Sequence, residues 1–470
     1  MYNLRKSAGA RYLVRGACNL ILTAVATMCY AYIWVHYLNP IQWVPFRFAG
    51  NILMYGLYAV FTLLFNHLFA GFQIGVNRKS IVASSQAVAM IMVNIVALVY
   101  SSLAIGYMAN VSYFHYFLTV AKYFLAAYLV EMVLMVILDV LMIDMYRRLF
   151  PPHQILEIVG NYENNLSQKM NTRRDKYVVA HQMSCEEDME QIREAMMQYD
   201  AVLLNDIPSE RKNQILKMCF ENNKRVYFTP KISDLMVKFS SEINMFDTPL
   251  YLNRNMGLSI GNRIFKRACD IVLSLIMLII ASPFMLLTAL FIHLEDGGPV
   301  FFRQERVTLG GKKFMILKFR SMIVNAEAEG KANPASSDDD RITKTGRVIR
   351  ATRMDELPQL FNILKGEMSL IGPRPERVEH VEKYTAEIPE FAFRHAVKGG
   401  LTGYAQVYGK YNTSALDKLK MDLTYIMDYS PLLDIQILVE TVKVVFRKES
   451  TEGFTDEQKS KIVDQDKKQN

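Results

Sequence analysis

The stretch "FKRACDIVLSLIMLIIASPFMLLTALFIHLEDGGP" (residues 265–299) decides the architecture. It is apolar from Ala268 to about Leu294, enough at about 1.5 Å per helical residue to cross a hydrocarbon core of about 30 Å. Its flanks argue against a crossing. Lys266 and Arg267 precede it, Arg303 and Arg306 follow it, and basic residues mark the cytoplasmic side of a span. In its middle stands Ser282-Pro283. Proline removes one helical hydrogen bond, and a serine hydroxyl can satisfy the carbonyl that is freed. The segment is therefore predicted to be a re-entrant helix over about 263–294. It would bend at Ser282 and Pro283 and return to the face it entered, with a kinked spanning helix as the alternative.

Upstream lie four longer-range relatives of this pattern, apolar stretches at roughly 16–36, 49–71, 81–107 and 117–145, each long enough to span. No small-residue cleavage site follows the first, so it does not read as a cleaved signal. Arg5, Lys6, Arg11 and Arg15 precede the first span. Arg78 and Lys79 separate the second from the third, and Arg147 and Arg148 follow the fourth. The other two loops carry only Arg47 and the charge-free "GYMANVSYFHY". This asymmetry places the N-terminus and everything after residue 146 on the cytoplasmic side of the membrane, with Trp34 and Trp43 at the outer interface. Lys122 and Glu131 fall in or beside the fourth stretch, too far apart along a helix to form an obvious pair. Such intramembrane charges raise a transport role as one reading.

The chain is 51% apolar and 21% charged over 470 residues, with a formal charge of +8. That balance suits contact with anionic lipid or phosphate. The five cysteines are scattered and form no CxxC, which excludes a disulfide framework and a cysteine-rich zinc site. After "PPHQ" the pattern becomes that of a soluble α/β domain. "QILEIVG", "DKYVVAH", "AVLLNDI" and "KRVYFTP" read as buried strands, with "CEEDMEQIREAMMQYD" and "SERKNQILKMCFENN" as amphipathic helices between them. The prediction is a small, doubly wound parallel sheet. "VGNYENN" has a single glycine where a dinucleotide fingerprint needs three, so the domain reads as Rossmann-like without a cofactor signature.

Downstream of the decisive stretch, "GGPVFFRQERVTLGGKKFMILKFRSM" predicts a hairpin turning at Gly310-Gly311. Period two puts Phe314, Ile316, Lys318 and Arg320 on one face, where the two cations could hold a diphosphate or sit at a solvated edge. Then comes "ATRMDELPQLFNILKGEMSLIGPRPER" (residues 351–377). Asp355 suits a helix N-cap with Pro358 in the first turn, a purely structural explanation. The same helix end, with Arg350, Arg353, Arg374 and Arg377 in this region, would equally keep Asp355 ionised as a carboxylate nucleophile. Glu356 could share a divalent cation with it. The prolines around Arg374 fix the backbone and pre-organise its guanidinium for phosphate.

Taken together, "FKRACDIVLS…SP", the hairpin, "DELPQLFNILKGEMSLIGPRP" and "VKGGLTGYAQVYGK" resemble the bacterial sugar transferase family. These are monotopic polyprenol-phosphate phosphoglycosyl transferases that initiate capsule, exopolysaccharide or O-antigen synthesis. The resemblance covers roughly 259–450. The order of four spans, Rossmann-like domain and catalytic domain is similar to the large members of the family. It implies a membrane multidomain protein: four transmembrane helices (1–148), a Rossmann-like α/β cytoplasmic domain (149–250), an α/β catalytic domain with a re-entrant helix (259–450) and a charged tail (451–470).

The resemblance further implies that Asp355 attacks the β-phosphate of a UDP-sugar, that Glu356 is its partner in magnesium and proton handling, and that undecaprenyl phosphate then takes the phosphosugar. Ser282 and Pro283 match the membrane helix break. Lys318, Arg320, Arg353, Arg374 and Arg377 stand as the phosphate-binding set. The partners expected are a UDP-hexose (glucose or galactose), undecaprenyl phosphate and membrane lipid, at the bacterial cytoplasmic membrane. Mg2+ is the expected cofactor. No nucleic acid is expected, and a homo-oligomer is compatible with the reading. Gly399, Ala405 and Tyr408 depart from the family pattern in the region expected to shape the donor pocket. The alternative is a non-catalytic scaffold for polysaccharide assembly.

Overall fold

The computed structural model describes residues 8–42, 44–109, 113–160, 164, 166–243, 247–253, 257–324, 326, 339–410 and 413–445. Trp43, Arg5, Lys6 and the charged tail lie outside the described residues. The chain divides into two compact units, Met1–Pro230 and Lys231–Asn470.

The first unit begins with four long helices, α1 (Ala8–Ile33), α2 (Phe48–Leu68), α3 (Lys79–Ala109) and α4 (Tyr113–Leu149). All four are long and apolar enough to cross a membrane, and their outward faces carry leucine, isoleucine and valine, as lipid contact requires. Their inward faces form one core that includes Tyr30, Trp34, Tyr58, Met90 and Met135. Trp34 is fully buried in that core and donates through Nε1 to Asn51 Oδ1 at 2.9 Å. Glu131 is also buried. It accepts from Tyr58 Oη (2.6 Å) on α2 and Asn94 Nδ2 (2.9 Å) on α3, while Lys122 lies over the Tyr123 ring. The acid thus joins three helices and has no part in a Lys122 pair.

The same unit continues through β1 (His153–Val159), α5 (Leu166–Asn171), β2 (Tyr177–Ser184), α6 (Met189–Met197), β3 (Ala201–Asn205), α7 (Ser209–Glu221) and β4 (Arg225–Phe228). The strands form one parallel sheet in the order β2-β1-β3-β4. This is the doubly wound pattern expected from the alternation of strands and helices. At its switch point Gly160 packs so closely on Asp206 that a Cβ would lie 2.0 Å from the Asp206 carbonyl oxygen.

The second unit starts with α8 (Ile232–Lys238) and the short pair β5 (Ser241–Ile243) and β6 (Leu250–Leu252). Ile232 and Leu235 pack into its core. Next comes α9 (Ile260–Asp296), an unbroken helix of 37 residues that is capped by the Ser259 hydroxyl and closed by left-handed Gly297. Pro283 lies inside it, and Ser282 Oγ donates to the Ile279 carbonyl at 2.9 Å, the carbonyl that a proline at 283 leaves without a partner. The antiparallel hairpin β7 (Phe301–Val307) and β8 (Lys313–Phe319) turns at Gly310 and Gly311, both at positive φ. After it come α10 (Lys344–Ala351), α11 (Gln359–Lys365), β9 (Ser369–Ile371), α12 (Val378–Glu387), β10 (Gly400–Thr402), α13 (Tyr404–Tyr408), α14 (Ala415–Met427) and α15 (Pro431–Val445). The β9–β10 pair is parallel.

Both ends of α9 are bound by this one unit. Near its start, Lys266 pairs with Asp434 (2.7 Å), Arg267 donates to the carbonyls of Ile363 and Leu364, and Asp270 accepts from Ser369 Oγ and Leu370 N. Near its end, Glu295 accepts from the amides of Lys344 and Thr345, and Asp296 pairs with Arg320. Along the helix, Met285 and Ile292 pack on Phe319 and Ile349, while Ile279, Ile280, Phe284, Leu286, Leu287 and Phe291 face outward.

Candidate active site

Asp355 does not cap a helix. Arg353 enters the left-handed region (φ 58°), which residues other than glycine rarely adopt, and a tight turn over Met354–Glu356 follows. The first helical residue of α11 is Gln359, and Pro358 occupies the cap position with no side-chain cap bond. The purely structural explanation of Asp355 therefore fails. Among the described residues its carboxylate receives no hydrogen bond or ion pair, and the residue is half-buried.

Glu356 is the clasped member of the pair. Lys318 Nζ (3.3 Å) and Arg374 Nη2 (2.8 Å) both donate to its Oε1. Three separate segments thus meet at one oxygen, and each is fixed by its own bonds. Lys318 is held on β8 because Asn362 of α11 accepts from Leu317 N (3.0 Å) and donates to the Met315 carbonyl (2.8 Å). Arg374 is held by its loop. Gly400 N donates to the Pro373 carbonyl, Arg394 to that of Arg374, Arg306 to that of Pro375 and Val307 N to that of Glu376, at 2.9 to 3.2 Å. Gly399 leaves room for this loop, since a Cβ there would meet Pro375 Cγ at 2.5 Å.

The two carboxyls are driven in opposite directions. Burial pushes Glu356 upward, but Arg374 and then Lys318 outweigh it and hold the group well below the ordinary glutamate range. Burial also pushes Asp355 upward, and the negative Glu356 adds to that; Lys318, Arg350 and Arg353 only partly offset them. The arginines therefore do not dominate at Asp355. Burial lowers Lys318, against the pull of Glu356, and Glu356 raises Arg374. A carboxylate with a raised pKa and no bond is a better nucleophile than one tied in an ion pair. The pair is asymmetric by construction.

Beside the clasp is a small pocket lined by Arg306, Ile316, Lys318, Gln359, Arg374, Pro375 and Gly400. Gln359 is buried, and its Nε2 has no acceptor among the described residues. Cations plus an unmatched donor suit an anionic oxygen.

Of the residues expected to bind phosphate, the structure brings Lys318 and Arg374 together at Glu356 and places Arg353 at the start of the dyad turn. Arg320 goes elsewhere. It lies beyond the end of β8, 7% exposed, and is spent on Asp296 and the Pro299 carbonyl, so it anchors the end of α9. Strand alternation had assigned it to the Lys318 face because the period was carried past Phe319. Arg377 occupies the position before α12 without a side-chain cap bond, its backbone bridged to Arg306. Sequence reasoning missed Asn362, Gln359, Arg306 and the buried Arg394–Asp422 pair, whose contacts span long separations that no local pattern reports.

No group of three or more metal-ligating side chains occurs among the described residues. With Oε1 of Glu356 taken by two cations, Oε2 and the Asp355 carboxylate are the available oxygens. This set fits a Mg2+ that shares its ligands with a diphosphate, and does not fit an all-protein cage.

The family model described as bacterial sugar transferase matches residues 261–448. The chain is 46% identical over 183 residues to the UDP-N-acetylgalactosamine-undecaprenyl-phosphate N-acetylgalactosaminephosphotransferase of Aeromonas hydrophila, covering 38% of this chain and 43% of the relative. It is 42% identical over 205 residues to the UDP-glucose:undecaprenyl-phosphate glucose-1-phosphate transferase of Klebsiella pneumoniae, covering 43% of this chain and 42% of the relative. These matches span less than half the length of either relative. The enzyme of the same name from Caulobacter vibrioides is 43% identical over 182 residues, which cover 38% of this chain and 68% of that shorter relative. The clasp and its neighbouring pocket lie inside the matched region. By these matches, the chain belongs to the bacterial sugar transferase family.

Proposed function

We propose that the protein transfers a hexose 1-phosphate from a UDP-sugar to undecaprenyl phosphate, through a phosphosugar–aspartyl intermediate on Asp355, and so initiates synthesis of a capsule, exopolysaccharide or O-antigen. One observation carries the reading: a half-buried carboxylate with no bond among the described residues, next to a carboxylate bound by two cations.

In the first step an Asp355 oxygen bonds to the β-phosphorus. The bond from that phosphorus to the bridging oxygen breaks, and UMP leaves with the electron pair. In the second, an oxygen of undecaprenyl phosphate bonds to the same phosphorus and the aspartyl–phosphorus bond breaks, which regenerates the carboxylate. Lys318 and Arg374 stand where charge accumulates on the diphosphate oxygens and are already oriented by Glu356, so little reorganisation is needed at the moment of reaction. Gln359 adds a donor beside them. A Mg2+ held by Asp355 and Glu356 Oε2 would supply further charge neutralisation on the diphosphate. The fixed prolines and tied carbonyls of the Arg374 loop keep the guanidinium in place.

The location fits these partners. With α9 as a re-entrant helix in the cytoplasmic leaflet, the site would lie near the lipid headgroups, within reach of a soluble nucleotide sugar and a lipid phosphate. Support comes from the two ends of α9, both bound by the catalytic unit, and from the Ser282 hydroxyl on the carbonyl that Pro283 frees. The reading puts the N-terminus and the catalytic unit on the cytoplasmic face. It keeps the divisions 1–148, 149–250, 259–450 and 451–470.

The test is UMP release from a panel of UDP-sugars, glucose and galactose included, with undecaprenyl phosphate and Mg2+. Release that depends on one donor and on the lipid supports the proposal; none from any donor contradicts it. For topology, single cysteines at the two ends of α9 should both react with an impermeant reagent added on the cytoplasmic side. Protection of a cysteine near residue 297 would instead indicate a full crossing.

A further inference from the structure

Arg394, a buried cation among the described residues of this unit, touches none of the groups assigned to the chemistry. Arg394 lies in the short helical segment Pro389–Ala396 and is 3% exposed. Its Nε and Nη2 both donate to Asp422 Oδ2, at 3.0 and 2.7 Å, and Asp422 is itself 1% exposed. The guanidinium lies over the Phe391 ring, and Nη1 is 3.7 Å from Glu376 Oε1. Nη2 also donates to the Arg374 carbonyl at 3.0 Å.

A buried guanidinium is costly unless its charge is matched and its donors are used. Asp422 matches the charge. What remains is directed at the backbone of Arg374 and the side chain of Glu376, the residues around the second proline of the "PRP" turn. Among the carbonyls of residues 373–376, those of Pro373 and Glu376 are held by backbone amides, which any sequence would supply. The Arg374 carbonyl depends on the Arg394 side chain. The carbonyl fixes the peptide plane from which the Arg374 side chain sets out toward Glu356.

We infer that Arg394, braced by Asp422, is a positioning residue: by holding the Arg374 carbonyl it aims the Arg374 guanidinium at Glu356 and the diphosphate. This rests on the phosphosugar-transfer reading. Arg394 touches no reacting atom, and its effect passes through Arg374.

A double-mutant cycle on the full-length protein in detergent tests this, with kcat and KM for UMP release and Tm measured for Arg394→Lys, Arg374→Gln and the double variant. Lysine keeps a positive charge against Asp422, but a single nitrogen cannot serve Asp422 and the carbonyl together. In the wild-type background Arg394→Lys should lower kcat by up to about 10²-fold, as small misplacements of catalytic groups do. In the Arg374→Gln background the same change should lower it less than about threefold, because residues acting as a unit are not additive. Full-sized losses in both backgrounds, tracking a lower Tm, would overturn the positioning role. Should Arg394→Lys not fold, Asp422→Asn, which keeps the shape and loosens the brace, carries the same comparison. Failure of the wild type to release UMP from any donor overturns the functional reading, and this inference with it. Wild-type turnover with additive losses overturns the positioning role alone.

Discussion

Two glutamates, one buried in the membrane bundle and one largely enclosed in the catalytic unit, are stabilised in different ways. Glu131 accepts from a tyrosine hydroxyl and an asparagine amide on two neighbouring helices. Glu356 accepts from a lysine and an arginine. Neutral donors on separate helices pin the packing of a bundle. Cations gathered on one oxygen concentrate positive charge beside an open carboxylate. The first arrangement serves assembly and the second serves chemistry, and substitutions should separate them.

The largest expected effect is at Asp355. Asp355→Asn should reduce turnover by about 10³-fold or more, as loss of a covalent nucleophile does. Its thermal stability should not fall, for a reason of sign. A carboxyl whose folded pKa is raised opposes folding when charged, and that cost is relieved as pH falls through the raised value. The amide removes the cost permanently. A Tm equal to or above wild type, with activity lost, marks a functional residue; a large drop in Tm would mean that the side chain holds the turn together.

Next in size is the clasp. Lys318→Met should lower kcat by about 10²-fold and destabilise the protein, since it strips one of two cations from a buried carboxylate. Because Glu356 is depressed, its contribution to stability is present above the ordinary glutamate range near 4.3 and is lost as pH falls through the lower folded value. Lys318→Met should therefore move acid unfolding to higher pH. The counterpart in the bundle, Glu131→Gln, should cost only about 1 kcal/mol and leave kcat unchanged. Equal losses of activity at 318 and 131 would erase the distinction between the two regions.

The pH profile of kcat/KM should be bell-shaped. Its acid limb should lie above the ordinary aspartate range, because Asp355 is raised by burial and Glu356 and must be ionised to attack. Its alkaline limb should lie below the ordinary lysine range, because burial lowers Lys318. An acid limb at or below a free aspartate's value would remove Asp355 from the rate-determining ionisation.

The smallest effect is in α9. Ser282→Ala leaves the Ile279 carbonyl without its hydroxyl donor and should cost about 1 kcal/mol, read as a modest fall in Tm.

Much of this was legible in the chain itself. The long apolar helices and the four strands of the sheet follow from hydrophobic period and turn residues, which are local signals. Lys318, Asp355, Glu356 and Arg374, which the structure brings close together, stand out because prolines and charges cluster within short stretches. Arg320 was misplaced because a period of two was extended beyond the strand's end, where the chain turns to meet Asp296. The cap assigned to Asp355 failed because Arg353 takes a left-handed backbone and shifts the helix start to Gln359. Asn362 and the Arg394–Asp422 pair were invisible for another reason: each acts on backbone far away in sequence, and an amide or a buried ion pair leaves no periodic trace.

The most direct test of the account is the mass of the full-length protein after incubation with its UDP-sugar and Mg2+ in the absence of lipid. One added hexose phosphate is expected, mapped to the peptide containing Asp355, absent from Asp355→Asn and discharged when undecaprenyl phosphate is supplied. Steady UMP release with no adduct, undiminished in Asp355→Asn, would contradict it.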